Sequence, residues 1–396
     1  MKILHLLGAY DDSGGILSVI RNLQETTRAR GWTHSVWVHR SYRETRQPAL
    51  EYRYSRWLCG DSPHHWMMLG RAMCAWLELK ALLRRESFDV VHAHSRGALL
   101  VGLIIAAGGR RPILFTNHGL ARRIALYRWA ARRPNMYTVV LTPQMARYYG
   151  LTAPPPKITT ISACCADRFF TAEPVKAEPG LAGRPLRLVG MGNIVRWKNW
   201  HLVLEALAQL NERDRVRIRF DHWGPVPVIG DSAGYAADLQ RQVEASGLQR
   251  QVTFHGPITW VEACLRQADW FVLPSTNEPC SVALIEAMAL GLPVLVSASG
   301  GNVDIVADGK TGLFFAPDQS RALAEKLRML LAQPGRLLAP EAIRESVRLR
   351  SAASVAEQYS ALYQRLRPAG GRRGGPRADT DSPCQDSSFS QGFPAR

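Results

Sequence analysis

Trp270-Phe271-Val272-Leu273-Pro274 is an apolar run stopped by a proline. Ser275-Thr276-Asn277-Glu278-Pro279-Cys280 follows, then Ser281, an apolar stretch at 282–290, Gly291, Pro293 and a second apolar run, Val294-Leu295-Val296-Ser297. The runs are short enough for buried strands, and the stretch between them is long enough for a helix. Ser281 can cap that helix through its hydroxyl. Gly291 suits the left-handed position just past its end, and Pro293 cannot continue it. Strand, loop, helix, strand is a βαβ unit, so the two strands run parallel in one sheet. Its strand-to-helix loop then lies at the carboxyl edge of the sheet, where open α/β sheets bind ligands.

Outward from this unit the same alternation continues in both directions. Upstream in the second half are apolar runs at 186–190, 216–220 and 252–255, separated by helical patterns at 200–210 and 235–246. The first half repeats the scheme, with strands expected at 3–7, 34–38, 89–94, 113–116 and 138–141 and helices at 16–30, 67–85 and 98–107. Pro154-Pro155-Pro156, Glu173-Pro174 and Glu178-Pro179-Gly180 mark the join. The expected fold is α/β, with two doubly wound, Rossmann-like domains at 1–170 and 184–340. A single helix at 341–367 is expected to cross back to the first domain. Residues 368–396, rich in Gly, Pro, Ser and Asp, are expected to be disordered.

The 396 residues are ample for two cores and hold no apolar run of membrane-spanning length. The first apolar run is too short for a secretory signal, and the seven cysteines are scattered, so a cytoplasmic location is expected. With no Cys-x-x-Cys, neither a zinc site nor a disulfide framework is expected. The net charge of +17 is lopsided. Residues 1–183 hold 25 Lys+Arg against 12 Asp+Glu, whereas residues 184–367 hold 21 against 18. Between Asp89 and Asp167 there is no acidic residue and there are ten basic ones. An anionic partner for the first half is implied, and nucleic acid, an anionic membrane and an acidic small molecule all qualify. No helix-turn-helix, zinc-finger or RNP-like pattern supports nucleic acid. Arg122, Arg123, Arg128, Arg132 and Arg133 alternate with Ile124, Leu126, Tyr127 and Trp129, a mixture suited to a bilayer surface.

Glu286 lies in the otherwise apolar stretch 282–290, where a carboxylate is costly unless paired. It is either a structural pair or a group holding two hydroxyls, such as those of a ribose. Glu278 sits at the loop before it. Cys280, Ser281 and Val282 open the helix, whose free N–H groups suit a phosphate. Gly190-Met191-Gly192-Asn193-Ile194-Val195-Arg196-Trp197-Lys198 is a second strand-to-helix turn, with Arg196 and Lys198 as candidate diphosphate cations. Gly14-Gly15 forms the matching turn after the first strand. His118 ends the strand Phe115-Thr116-Asn117, and His92 and His94 end the one before it.

Glu278 and Glu286, within Pro274-Ser275-x-x-Glu278-Pro279 and Ile285-Glu286-Ala287-Met288-Ala289-x-Gly291-x-Pro293-Val294, resemble the Glu-x7-Glu signature of retaining GT-B glycosyltransferases of family 4. Gly300-Gly301 and Asp308-Gly309-Lys310-Thr311-Gly312-Leu313 extend the likeness. The resemblance implies a GT-B fold whose two domains face a central cleft. It also implies transfer of a sugar from a UDP- or GDP-sugar to a hydroxyl, with retained anomeric configuration and with no cofactor or metal. Carried over, Glu278 contacts the donor sugar, Glu286 the ribose and Lys198 the diphosphate; Gly14 and Gly15 approach the donor phosphate, and His118 lies by the reacting sugar. The family's usual Arg is Asn193 here, leaving Arg196 to compensate. Its Asn-Gly-Val-Asp after the last strand of the first domain is replaced by Ala163-Cys164-Cys165-Ala166-Asp167. The family's first domain binds the acceptor. A basic acceptor domain then implies a lipid-linked glycan of surface polysaccharide or lipopolysaccharide, at the cytoplasmic face of the membrane. A nucleotide-sugar epimerase of the same fold and a non-catalytic basic binding module remain the alternatives.

Overall fold

The computed structural model describes residues 1–10, 15–44, 50–60, 64–109, 111–175, 183–228, 230–333 and 339–367. The first sheet contains β1 (Lys2–Leu6), β2 (Thr33–His39), β3 (Glu51–Ser55), β4 (Val90–Ala93), β5 (Ile113–Asn117), β6 (Met136–Val140) and β7 (Ile158–Thr160). All pair in parallel, in the order β3-β2-β1-β4-β5-β6-β7. The second contains β8 (Leu186–Met191), β9 (Ile218–Trp223), β10 (Val252–Phe254), β11 (Trp270–Leu273), β12 (Val294–Ser297) and β13 (Gly312–Phe315). Its order is β10-β9-β8-β11-β12-β13, again parallel. The central strands β4, β5, β11 and β12 are buried along their whole length, as helices on both faces require.

Both sheets reverse direction at one place, between β1 and β4 in the first and between β8 and β11 in the second. A crevice opens outside the strand ends at such a point. The turns the sequence singles out follow these strands: Gly15 comes after β1, His94 after β4, Lys198 after β8 and Glu278 after β11. The topology therefore brings four segments, distant in sequence, to two facing crevices.

Five helices matter for the site. They are α1 (Gly15–Thr27), α2 (His65–Arg85), α3 (Ala125–Ala131), α4 (Val282–Ala289) and α5 (Ala352–Leu366). Ser281 caps α4 as its position implies, its Oγ accepting from the Leu284 amide at 3.3 Å. Gly291, with φ of 76°, takes the left-handed position after it.

The last helix is not continuous. A helix at Pro340–Ser346 is followed by a short 3-10 turn, Arg348–Arg350, and only then by α5. Two hydrogen bonds explain the break. The Arg350 carbonyl is taken by the Cys165 amide at 3.2 Å, and the Ser351 hydroxyl caps a new helix by accepting from Ser354 N at 3.2 Å. The Ala163–Cys165 segment thus packs into the joint between domains, and Cys164 and Cys165 are fully buried. α5 then lies on the first domain against α1. Tyr363 meets His92 at 2.8 Å, Tyr359 meets Thr116 at 3.1 Å, and Glu357 pairs with Arg30. The stretch 368–396, expected to be disordered, lies outside the described residues.

Candidate active site

The two crevices enclose one cavity of about 370 Å³. Its lining includes Gly15, His118, Asn193, Lys198, Glu278, Cys280, Ser281, Val282 and Glu286, so nearly every residue singled out in the sequence meets there. Gly14 lies outside the described residues. Arg196 is held away from the cavity. Its guanidinium faces solvent and bonds Asp231 at 2.6 Å and Asp238 at 2.9 Å, so it does not make good the cation lost at Asn193.

Lys198 is the cation that enters the cavity. The 3-10 turn Arg196–Lys198 ends at Asn199, whose φ is 57°, and this sharp corner aims the lysine inward. Its ammonium bonds the Glu278 carboxylate. Both residues are nearly buried, at 8% and 6% exposure. Glu278 is therefore no solvated loop charge. Removing one partner of such a buried pair strands the other, at a cost of about 3–5 kcal/mol. The Glu278 loop is clamped from behind: the Gly301 amide donates to the Glu278 carbonyl at 2.7 Å, and a Cβ at Gly301 would collide with the Pro279 carbonyl.

Two helix N-termini converge on the cavity. A Cβ at Gly15, the first residue of α1, would meet Val282 Cγ2 of α4 at 3.1 Å. A larger residue at 15 would push on the Val282 side chain, so the glycine eases the close approach of the two helix starts. Helix starts carry N–H groups and a dipole that attract an anion. Glu286 lies one turn into α4 beside Val282 and Ala283, on the face lining the cavity. It is half-buried there rather than enclosed in the core. Cys280 is also at the wall, but its sulfur packs 3.4 Å from Ser162 Oγ, and burial pushes the thiol above its ordinary pKa. It lines the cavity as a neutral group.

His118 sits at the end of β5 with Nε2 3.0 Å from His94 Nδ1. Burial pushes its pKa down to about 3, so the ring is neutral at physiological pH. Its other nitrogen has no hydrogen-bond partner among the described residues.

The cavity also has an apolar wall that the residue-by-residue reading did not foresee: Met191, Trp197, Trp223, Ile258 and Val261. Trp197 stands beside Lys198 in the quoted turn, yet an aromatic side chain alone signals no particular chemistry. Arg350 and Asp304 were missed as well. Arg350 bonds Ser162 of the first domain and the Asp304 carbonyl of the second. Asp304 itself accepts from the Gln144 amide and from Arg147. These contacts set the domains' mutual position, and pairings made only after folding leave no local pattern.

Two family descriptions match the chain, "Glycosyltransferase Family 4" over residues 13–164 and "Glycosyl transferases group 1" over residues 172–350. The chain is a group 1, family 4 glycosyltransferase. Among its curated relatives is a lipopolysaccharide core biosynthesis mannosyltransferase of Rhizobium leguminosarum bv. viciae, 28% identical over 271 residues, covering 65% of this chain and 73% of the relative. A 2-deoxystreptamine N-acetyl-D-glucosaminyltransferase of Niallia circulans is 24% identical over 316 residues, covering 72% and 75%. The glycosyltransferase superposes on the solved sucrose-phosphate synthase of Thermosynechococcus elongatus with a TM-score of 0.78, at 22% identity and over 92% and 99% of the two chains. An Anabaena protein solved in complex with UDP-glucose gives 0.73, at 19% identity and over 92% and 100%. These likenesses establish the GT-B fold for the transferase, as its two facing parallel sheets do. Among the described residues, no helix of the transferase is long and apolar enough to cross a membrane.

Proposed function

We propose that this glycosyltransferase moves a sugar from a nucleoside-diphosphate sugar to a hydroxyl of a lipid-linked glycan, retaining the anomeric configuration. One observation carries the reading: the buried Lys198–Glu278 pair stands where two helix N-termini converge, in a cavity walled by tryptophans. Glu278 neutralises the lysine. A donor diphosphate would take over the ammonium and release the carboxylate to accept from sugar hydroxyls. Glu286 would hold the ribose diol. As the bond from the anomeric carbon to the diphosphate breaks, negative charge collects on the leaving oxygen, and Lys198 and the helix starts stabilise it. The new bond from the acceptor oxygen forms on the same face, and its proton passes to the departing phosphate. His118, being neutral, does not compete with the cation for the diphosphate.

The acceptor class rests on relatives and on charge. The Rhizobium relative bears the name of a lipopolysaccharide core enzyme, and others are named for colanic acid biosynthesis. The first domain carries the basic excess, and it also presents an unpartnered apolar stripe. On α2, Trp66, Leu69, Met73 and Leu77 recur at helical spacing and are 86%, 47%, 48% and 55% exposed. Lys80, Arg84 and Arg85 follow them, whereas Glu78, the one acidic residue of α2, is turned inward to Ser55. An apolar stripe followed by cations suits the interface of an anionic bilayer. On α3, Trp129 is half-exposed beneath the Arg133 guanidinium, but Arg128 is committed to the Tyr149 carbonyl at 2.6 Å. The α2 stripe is therefore the better docking face.

A panel of labelled UDP- and GDP-sugars tests the chemistry. One donor is expected to be turned over, with loss of turnover in Glu278→Ala and Glu286→Ala and an anomeric proton in the product that reports retention. Release of an epimerised donor instead of transfer would overturn the reading. Flotation tests the membrane face: vesicles rich in phosphatidylglycerol should carry the wild type and not Trp66→Asp/Leu77→Asp, and equal flotation of both sinks that part.

A further inference from the structure

Five polar groups form one hydrogen-bonded line from the heart of the first domain to the cavity. Thr27 Oγ1 lies 3.0 Å from His34 Nε2, His34 Nδ1 lies 2.9 Å from His5 Nε2, His5 Nδ1 lies 2.8 Å from His94 Nε2, and His94 Nδ1 lies 3.0 Å from His118 Nε2. Every ring nitrogen between the ends is used once. Each neutral imidazole has one donor and one acceptor nitrogen, so the chain has only two consistent directions.

Thr27 decides between them. Its hydroxyl also lies 2.6 Å from the Leu23 carbonyl, which can only accept. The single hydroxyl proton is therefore spent on Leu23, and Thr27 Oγ1 must accept from His34 Nε2–H. His34 Nδ1 is then an acceptor for His5 Nε2–H, His5 Nδ1 for His94 Nε2–H, and His94 Nδ1 for His118 Nε2–H. Burial keeps the line neutral: it pushes His34 down to about 4 and His118 to about 3, and holds His5 and His94 well below the ordinary histidine value. A charged ring would carry two donors and break the order.

We propose that Thr27, His34, His5 and His94 are positioning residues that lock His118 in the Nε2–H tautomer, so that its unprotonated Nδ1 is offered to the cavity as a hydrogen-bond acceptor. The chemistry that fits is a ligand hydroxyl, which would be oriented by donating to this lone pair. That last clause rests on the proposed glycosyl transfer; the locked tautomer does not.

The test reads tautomers directly and needs no donor. The full chain is labelled with ¹⁵N-histidine, and long-range ¹H–¹⁵N correlations are recorded at neutral pH, with His118→Gln assigning the ring at the cavity. All four rings are expected as Nε2–H. In Thr27→Val the terminal acceptor is gone, and the His118 signal should shift wholly or partly to the Nδ1–H pattern. Thr27→Ser should restore the wild-type spectrum. A wild-type His118 carrying its proton on Nδ1 overturns the proposal even if the valine variant does not fold. So does an unchanged spectrum in folded Thr27→Val. His5, His92 and His94 also present ligand atoms within 4.8 Å of one another. Stoichiometric zinc in the purified protein, lost in His92→Gln, would mean a metal site and not a relay.

Discussion

Lys198 and Glu278 show how much one pair of side chains controls. Lys198→Met should leave a carboxylate buried without a partner and lower stability by about 3–5 kcal/mol, measured by urea unfolding. Transfer should fall by about 10²–10³-fold through loss of charge stabilisation at the leaving group. Arg196→Ala should leave turnover at the wild-type level, since that guanidinium faces Asp231 and Asp238 outside the cavity. A large loss of activity in Arg196→Ala would return it to the site. Both residues are readable in the sequence as cations near a glycine turn. Which of them enters the cavity is set by the corner at Asn199 and by two aspartates more than thirty positions away, and no spacing rule contains that.

At the scale of elements, the βαβ unit β11–α4–β12 was legible almost residue by residue, because its signals are local: a proline stop, a serine cap, a left-handed glycine. The break before α5 was not legible. The apolar periodicity runs through 341–366, and the break comes with the Ser351 cap and with the Cys165 amide, which arrives from the other domain and takes the Arg350 carbonyl. The Gly300-Gly301 turn is an element whose purpose lies elsewhere, in holding Glu278. Gly301→Ala should push the Pro279 carbonyl and displace that loop, cutting kcat by about 10²-fold if the carboxylate moves by about 1 Å. Steady-state kinetics with the protein's donor checks this, with a circular dichroism spectrum unchanged from wild type as the control.

For the whole molecule, buried neutral histidines link stability to pH. Folding lowers the pKa of His34 from 6.5 to about 4 and those of His118 and His222 to about 3. Below pH 6.5 the unfolded chain therefore binds protons that the folded chain refuses, so stability is full above that value and is lost as pH falls toward the folded pKa values. Each such ring adds a slope of about 1.4 kcal/mol per pH unit in that window. Urea midpoints should drop steeply between neutral and mildly acidic pH, and His34→Gln should make the drop shallower; equal slopes would show that His34 is protonated without penalty. The domain joint is the other whole-molecule device. Tyr363→Phe removes the hydroxyl facing His92 Nδ1 and should destabilise by about 1–3 kcal/mol, read as a lower Tm.

The sequence by itself determined two doubly wound α/β halves, the turns that carry chemistry, and the family. These follow from hydrophobic period, caps, breakers and short motifs, which act over a few residues. The tertiary structure alone decided that Lys198 and not Arg196 meets Glu278, that Glu286 faces the cavity, that the last helix breaks at Arg350, and that three histidines and Thr27 line up behind His118. Each of those depends on strand order. Crossovers place β1 beside β4 and β8 beside β11, so residues far apart in the chain become hydrogen-bond partners, and the distances that fix their chemistry exist only once the sheets are assembled.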